Sequence, residues 1–417
     1  MKNKILHTVR GMRDLYGDEI KKHNYIIESA RSICDLYGFE EFSTPIMEFS
    51  EVFDRSLGNS SDIITKETYN FYDKNGESVT LRPEGTAAIA RAFLSNSFLN
   101  SLPFRAFYHG PMFRYERPQK GRMRQFHQVG VELIGSSEYE ADIDVISAAY
   151  QFLTALGLES GLILEINSLG DSESRASFKK ALIEFLESKK NKLSKDSKKR
   201  LEQNPLRILD TKDEGDKRIL ESAPLLPEFL SNKSDVFFKE ITQGLKKLKI
   251  PWKLNPNLVR GLDYYCHTAF EFTSNNLGSQ SAVLAGGRYD GLTGFIGGPS
   301  VPGVGWAAGI ERIALLIEKP TSIKKQVSLI PIGEKPEIFC RQLSNKMRQS
   351  GIKVEMSYKG NLKKRLQKAV KLFSKAVVII GDKELSKEVA TVKYLDSQIQ
   401  KPVKFSDLIK EFTGLRK

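Results

Sequence analysis

Cysteine is scarce in this 417-residue chain: Cys34, Cys266 and Cys340 are the whole complement, and they stand far apart. An odd number at such spacing supplies neither a disulfide framework nor the paired cysteines of a structural zinc site, and it suits three free thiols in a reducing cytosol. Long apolar runs are missing too. No stretch approaches the roughly 18 consecutive apolar residues that read as a membrane span, and the first eight residues lack the apolar stretch of a secretory signal. A cytoplasmic protein without a membrane anchor is expected. There is no G-x-x-x-x-G-K-[ST] phosphate loop, no H-E-x-x-H and no C-x-x-C. The glycine-rich string Gly303-Val304-Gly305-Trp306-Ala307-Ala308-Gly309 lacks the acidic partner and βαβ setting of a dinucleotide site. No internal repeat or low-complexity tract is present.

What the chain has in excess is positive charge, and its location is informative. The net charge is +13. From residue 320 onward there are 22 basic and 9 acidic residues, so the preceding 319 are balanced and all the excess lies in the last quarter. Two readings fit that imbalance: a solvated lysine-rich surface, or a domain that neutralises phosphates on a nucleic acid. The length allows two or three domains.

Hydrophobic periodicity organises the rest. Residues 17–37 place Ile20, Ile26, Ile27, Ala30, Ile33, Cys34 and Tyr37 at helical spacing, and Gly38 is placed to end the helix. A strand-like run follows to Glu48, with Pro45 at its edge or break. Residues 104–134 read as two strands around the basic loop 117–124. On the first strand Arg114 and Glu116 share a face, opposite Phe113 and Tyr115. On the second, Phe126, Gln128, Gly130 and Glu132 form a polar working face, and His127, Val129, Val131 and Leu133 a packing face. Residues 171–250 are charged and helical in pattern, and aromatic and glycine-rich strands resume over 258–317. A linker is expected at 318–326. Beyond it, strands at 327–332, 352–357 and 376–380 alternate with helices at 337–350 and 361–373, the pattern of a small α/β domain.

The chemistry-bearing residues are arginines set among glycines and acids: Arg114 in Phe113-Arg114-Tyr115-Glu116, Arg122 in the basic loop, Arg260, and Arg312 in Gly309-Ile310-Glu311-Arg312. Guanidinium groups make planar, bidentate contacts to phosphate, so together these could clamp a triphosphate. The strings Leu81-Arg82-Pro83-Glu84-Gly85-Thr86 and Arg122-Met123-Arg124-Gln125-Phe126-His127-Gln128 accompany them. So do Leu258-Val259-Arg260-Gly261-Leu262-Asp263-Tyr264-Tyr265 and Ala285-Gly286-Gly287-Arg288-Tyr289-Asp290-Gly291-Leu292.

With these blocks in this order, from residue 8 to about 415, the chain resembles the bacterial histidyl-tRNA synthetase family of class II aminoacyl-tRNA synthetases. Pro45 is similar to the proline of the first class II motif, residues 113–132 to the F-R-x-E strand and loop of the second, and residues 303–317 to the glycine-rich strand and helix of the third. Cys266-His267 and Trp306 depart from the bacterial pattern at positions that contact no ligand in the family.

The resemblance implies an α+β catalytic domain at 1–320, on a mixed, mainly antiparallel sheet flanked by helices, with a helical insertion at about 171–255. It implies a C-terminal α/β anticodon-binding domain at 326–417, which favours the nucleic-acid reading of the charge. It implies a homodimer whose partners are L-histidine, ATP and tRNA(His), with Mg2+ bound mainly through ATP and no metal held by the protein alone. Arg114 and Arg260 would be catalytic, on opposite sides of the α-phosphate. Glu116, Arg122, Phe126 and Arg312 would join Arg114 on ATP. Glu84, Thr86 and Gln128 would hold the α-amino group, Glu132 and Tyr265 the imidazole, with Tyr264 and Tyr289 lining the pocket, Arg114 reaching the substrate carboxylate and Arg260 also among the histidine-binding residues. Gln119 and Arg124 would touch the acceptor stem, and Lys363-Lys364-Arg365 would meet phosphates. A regulatory paralogue of ATP phosphoribosyltransferase shares the fold but generally lacks the C-terminal module and erodes the ATP clamp; this chain keeps both.

Overall fold

The computed structural model describes residues 5–57, 63–119, 121–211, 213–259, 264–277, 282–317, 326–357 and 359–413. Arg260 and most of the proposed linker fall outside this set. The chain divides into two compact units, Met1–Lys319 and Pro320–Lys417.

The first unit opens with helix α1 (Gly17–Leu36). It ends as its sequence predicts. Gly38 takes φ +73, its N–H bonds the Asp35 carbonyl, and the Phe39 N–H bonds that of Cys34. This left-handed cap suits glycine because it carries no Cβ. Short strands β1 (Glu40–Glu41) and β2 (Met47–Phe49) follow, separated by the break at Pro45. Next come α2 (Ser50–Leu57), β3 (Tyr69–Tyr72), β4 (Ser78–Leu81) and α3 (Thr86–Ser95). The long hairpin β5 (Phe104–Phe113) and β6 (Gln125–Ile134) leads into α4 (Tyr139–Ala155) and β7 (Leu162–Ser168). Four helices come next: α5 (Ser172–Lys189), α6 (Lys195–Gln203), α7 (Glu214–Leu220) and α8 (Asn232–Lys247). The unit closes with β8 (Trp252–Leu254), β9 (Cys266–Ser274), β10 (Ala282–Arg288), α9 (Leu292–Phe295), β11 (Gly303–Gly309) and α10 (Ile310–Leu316).

Eight of these strands form one sheet in the order β1-β5-β6-β11-β10-β9-β7-β8. Only β1/β5 and β7/β8 pair in parallel; the other pairs are antiparallel. This is the mixed, mainly antiparallel sheet that the family resemblance implies. Strand alternation then sorts the side chains. Val129, Val131 and Leu133 pack with Ile26, Ala30 and Cys34 of α1 and with Val145, Ile146 and Phe152 of α4. Trp306 stacks on Phe152 with ring centroids 5.8 Å apart. Tyr108, Ala106, Tyr265 and Tyr289 belong to the opposite core, with Phe93 of α3 and Phe178, Leu182 and Leu186 of α5.

The strand expected to carry Arg114 and Glu116 stops at Phe113. From there the backbone leaves the ladder: the Tyr115 N–H bonds the Glu67 carbonyl and the Glu116 N–H turns back onto the Arg114 carbonyl. Alternation therefore does not apply to these two residues.

The helical stretch is capped by side chains. Asp171, Ser194, Asp213 and Ser231 accept from backbone N–H groups at the starts of α5, α6, α7 and α8. The buried Asp216 carboxylate is bound by the Ser194 N–H, the Ser194 hydroxyl and the Ser197 hydroxyl at 2.9, 2.6 and 2.6 Å.

The second unit contains β12 (Val327–Ile332), α11 (Glu334–Gln349), β13 (Val354–Met356), α12 (Leu362–Lys371), β14 (Ala376–Gly381), α13 (Asp382–Ser386), β15 (Val389–Tyr394), β16 (Gln400–Lys404) and α14 (Leu408–Thr413). Its sheet order is β13-β12-β14-β15-β16, parallel across the first three strands and antiparallel beyond. The five elements expected from the sequence are all present. The terminal strands β15 and β16 were not anticipated, because Lys, Thr and Gln at their exposed positions dilute the apolar signal. The Lys363-Lys364-Arg365 cluster divides. The two lysines are exposed, but Arg365 is buried and donates to the Pro331 carbonyl at 2.5 Å and to Glu337 at 3.4 Å. It braces the fold and is not placed to meet phosphate.

Arg288 is a buried anchor of the first unit. It is ion-paired with the fully buried Asp142 of α4 and donates to the Ser136 and Glu138 carbonyls at 2.9 and 3.1 Å. Arg288→Ala would strand the Asp142 charge. The expected loss is about 3–5 kcal/mol, read as an earlier urea transition of the first unit; replacing Asp142 with Leu in the same chain should recover part of it.

Candidate functional site

The hairpin loop is built by backbone and stacking contacts. The Arg114 N–H donates to the Arg124 carbonyl at 2.9 Å, the Arg124 N–H to Gly11 at 2.8 Å, and Gln119 and Arg122 exchange two backbone bonds of 3.0 and 2.9 Å. The Arg124 guanidinium lies 3.7 Å from the centre of the Tyr115 ring and donates to the Glu116 carbonyl at 3.3 Å. The loop is thus a folded structure that fixes where its neighbours point.

Beneath it lies a cavity of about 360 Å³ lined by Arg114, Glu116, Arg122, Phe126, Gln128, Glu271, residues 282–285, Glu311 and Arg312, among others. Three arginines from three places in the chain therefore face one space. Two are oriented by carbonyl acceptors and the third by an ion pair. Arg114 Nε donates to the Pro83 carbonyl at 2.9 Å, Arg312 to the Ala282 carbonyl at 2.7 Å, and Arg122 is ion-paired with Glu116 at 2.9 Å. Burial, and then the nearby Arg122 and Arg114 charges, push Arg312 below the usual arginine range. That like-charge crowding disfavours the site alone and favours it with a polyanion. The Arg114 guanidinium also sits 5.3 Å from the Phe126 ring centre.

Glu311 positions Arg312. Both Glu311 carboxylate oxygens accept the His127 N–H at 3.1 and 2.9 Å, and Oε1 lies 2.9 Å from His127 Nδ1. Burial raises the Glu311 pKa, but the bonds from His127 outweigh it, leaving it lowered overall. The first turn of α10 is thereby tied to β6. Sequence reading assigned no role to Glu311; its one signal is adjacency to Arg312 where strand passes into helix. His127 has the structural role expected of the packing face.

A second, buried cluster adjoins the cavity. Glu84 accepts the Thr86 and Ala87 N–H groups at 2.7 Å each, at the start of α3. Burial raises its pKa, opposed by these bonds and by the nearby Arg114 charge. The Thr86 hydroxyl donates to Glu132 Oε1 at 2.7 Å, and the Tyr289 hydroxyl donates to Glu132 Oε2 at 2.5 Å. The Tyr264 ring packs 4.6 Å from Tyr265 and 5.9 Å from Tyr289. Gly305 makes room for the carboxylate: a Cβ there would stand 1.9 Å from Glu132 Oε2. Burial pushes Glu132 up to about 8, against the opposing bonds from Tyr289 and Thr86. Gln128 Oε1 is buried and has no hydrogen-bond partner, an acceptor that a ligand can satisfy. Tyr108, not singled out from sequence, is buried opposite Gly130, with its hydroxyl in the field of Glu132 and Glu84.

The structure thus gathers Arg114, Glu116, Arg122, Phe126, Gln128 and Arg312 around one cavity, and Glu84, Thr86, Glu132, Tyr264, Tyr265 and Tyr289 in the adjoining buried cluster. Gln119 and Arg124 lie on the loop above. Arg260 lies outside the described residues. The second unit has a shallower depression along α12, lined by Leu362, Leu366 and Val370 among others; it offers apolar surface without converging hydrogen-bonding groups. Chemically, the first site offers cations for a polyphosphate next to a buried cluster rich in hydrogen bonds. Among the described residues no helix is long and apolar enough to cross a membrane.

Comparison with known proteins agrees with this geometry. The family model for histidyl-tRNA synthetase matches residues 11–313, and one for an anticodon binding domain matches residues 326–415. The chain is 48% identical over 399 residues to the histidine–tRNA ligase of Rhodospirillum rubrum, covering 95% of this chain and 96% of that protein. It is 46% identical over 411 residues to the histidine–tRNA ligase of Rickettsia akari, covering 98% and 99%. The apo histidyl-tRNA synthetase of S. aureus superposes with a TM-score of 0.82 at 32% identity, covering 98% of this chain and all of that one. On the strength of its sequence, its sheet and its three-arginine cavity, the chain belongs to the histidyl-tRNA synthetase family.

Proposed function

We propose that the chain activates L-histidine with ATP in the cavity and adjoining pocket described above, then transfers the histidyl group to tRNA(His). The observation that carries this reading is the convergence of Arg114, Arg122 and Arg312 on one cavity beside the buried Glu132 cluster. In the first step the histidine carboxylate attacks the α-phosphorus, forming histidyl-adenylate and releasing pyrophosphate. Negative charge grows on the phosphoryl oxygens as the bond forms, and a guanidinium already in place stabilises that charge more than the ground state. Arg114 is the proposed group on one side of the phosphate and Arg260 on the other. Arg312 meets the adenine and the γ-phosphate, Arg122 the triphosphate tail, Glu116 the adenine amino group, and Phe126 stacks on the ring. Because Glu116 and Arg122 are paired at 2.9 Å, ATP entry exchanges that pair for contacts to the nucleotide. Mg2+ would be held mainly by the phosphates, with Glu271 on the cavity wall able to add a carboxylate.

Glu84, Thr86 and Gln128 hold the α-amino group, Glu132 and Tyr265 read the imidazole, and Tyr264 and Tyr289 complete the wall. A site built to hydrogen-bond both ring nitrogens rejects isosteres lacking them by about 10⁴-fold. In the second step the terminal adenosine hydroxyl of the transfer RNA attacks the adenylate carbonyl. Gln119 and Arg124 are the proposed acceptor-stem contacts, with Arg124 acting from its stacked position on Tyr115. The basic second unit meets the anticodon arm. A cytoplasmic homodimer completes the proposal; light scattering that shows an active monomer would contradict the dimer.

The direct test is pyrophosphate–ATP exchange assayed with each amino acid. Histidine alone should support it, and absence of histidine-dependent exchange overturns the reading. Arg114→Ala should lower the exchange rate constant by about 10²–10³-fold with a smaller change in ATP affinity, and Arg260→Ala should behave alike. Equal losses in rate and affinity would reduce either residue to a nucleotide anchor.

Glu132 gives a pH signature. Its folded pKa, about 8, lies above the usual carboxylate value. Its protonated form is therefore favoured by folding, and the associated stability is complete at low pH and lost as pH rises toward 8. Glu132→Gln removes that dependence. Against wild type, the variant should gain about 1–3 kcal/mol between pH 5 and pH 9, followed by thermal melts. An imidazole N–H donated to Glu132 favours the carboxylate, so histidine binding near neutral pH should release a proton. Calorimetry in buffers of different ionisation enthalpy should show this in wild type and lose it in Glu132→Gln.

A further inference from the structure

Next to the tyrosine-lined pocket lies a group of side chains that this reaction does not use. Cys266, His267 and Asp290 each bring one ligand-capable atom to a common point, all within 4.8 Å of one another. Neighbours on a strand normally point to opposite faces. Here the backbone is bent at His267, which holds φ +44, a conformation non-glycine residues rarely adopt. The bend is fixed from both sides: the His267 N–H donates to the Gly170 carbonyl at 2.9 Å, and the Leu169 N–H to the His267 carbonyl at 2.5 Å.

The side chains carry two further marks. His267 Nδ1 is buried without a hydrogen-bond partner, which is costly for a ring nitrogen that no ligand satisfies. The Cys266 sulfur accepts the Asp290 N–H at 3.4 Å, which keeps thiol and carboxylate residues together. Access is available, because the Asp290 side chain is 33% exposed and His267 is half-buried.

We propose that Cys266, His267 and Asp290 form a binding site for a thiophilic divalent cation of the zinc class, with a fourth position open to solvent. Binding forms a sulfur–metal bond and releases the thiol proton to water; nothing is oxidised or reduced. Sequence spacing conceals the site, because Asp290 arrives from the far end of β10 while the cysteine and histidine begin β9. The ligands directly follow Tyr265 and Tyr289, so an occupied site clamps two walls of the proposed histidine pocket. That consequence rests on the function proposed above, whereas metal binding itself does not.

The test uses the full-length protein, stripped with chelator and titrated with Co2+. Wild type should develop a near-ultraviolet thiolate-to-cobalt charge-transfer band that saturates at about one ion per chain and is displaced by Zn2+. Cys266→Ser should lose the band, while Cys34→Ser and Cys340→Ser keep it. Absence of the band in wild type overturns the proposal without depending on how any variant folds, and its persistence in Cys266→Ser overturns it equally. Neither result bears on histidine-dependent exchange, so this failure is distinguishable from failure of the proposed function.

Discussion

Three guanidinium groups sharing one cavity is the constraint around which the first unit is arranged. Like charges at such separation repel, and partial burial strengthens the repulsion. The arginines stay converged because neighbouring structure fixes each one: the Pro83 carbonyl holds Arg114, the Ala282 carbonyl holds Arg312, and Glu116 pairs with Arg122. Those acceptors come from the approach to α3, the start of β10 and the hairpin loop. The sheet order β5-β6-β11-β10 brings these parts side by side. The cation cluster therefore exists before any ligand arrives, and its reorganisation is complete at folding, the condition under which fixed charges act most strongly on a reacting phosphate.

A second constraint is the burial of Glu132. Thr86 and Tyr289 each give its carboxyl group a hydroxyl donor, and Gly305 leaves the space it occupies. An ionised carboxylate without a cation is disfavoured in that setting, so the group is poised to change protonation when a donor enters. The two halves of the site meet at Arg114, whose charge faces the cavity and also opposes the rise that burial imposes on Glu84 across the boundary. The proposed reaction, in which a substrate carboxylate meets a nucleotide α-phosphate, needs that kind of junction.

Much of this architecture was legible in the chain. The helix ending at Gly38, the hairpin with its two faces, and the five leading elements of the second unit all follow from periodicity and turn residues, and the quoted motifs identified the family. What escaped reading was set by contacts between distant residues. Asp142 and Arg288 are 146 residues apart, and each alone resembles a surface charge. His127 and Glu311 are 184 apart, so the clamp that seats Arg312 has no local signature. Arg365 sits in a lysine-rich helix and reads as solvated, yet it turns inward to the Pro331 carbonyl. Strand alternation carried past Phe113 puts Arg114 and Glu116 on a strand, whereas the backbone leaves the ladder there and the Glu67 carbonyl captures the Tyr115 N–H.

The Glu132 cluster's dependence on long-range contacts bears on how its geometry is maintained. Thr86, Glu132 and Tyr289 come from α3, β6 and the end of β10, with 46 residues between the first two and 157 between the last two. No local segment can hold them in register, so the whole sheet must. The helical stretch contributes from outside: Arg175 of α5 donates to the Tyr265 carbonyl at 2.7 Å, and the Asp171 carboxylate that caps α5 also binds the Ser231 hydroxyl at the start of α8. Movement of those helices is therefore coupled through one backbone carbonyl to a pocket wall. The geometry of this cluster is in this sense a property of the packed unit, because a shift of about 1 Å in any one support is enough to weaken its hydrogen bonds.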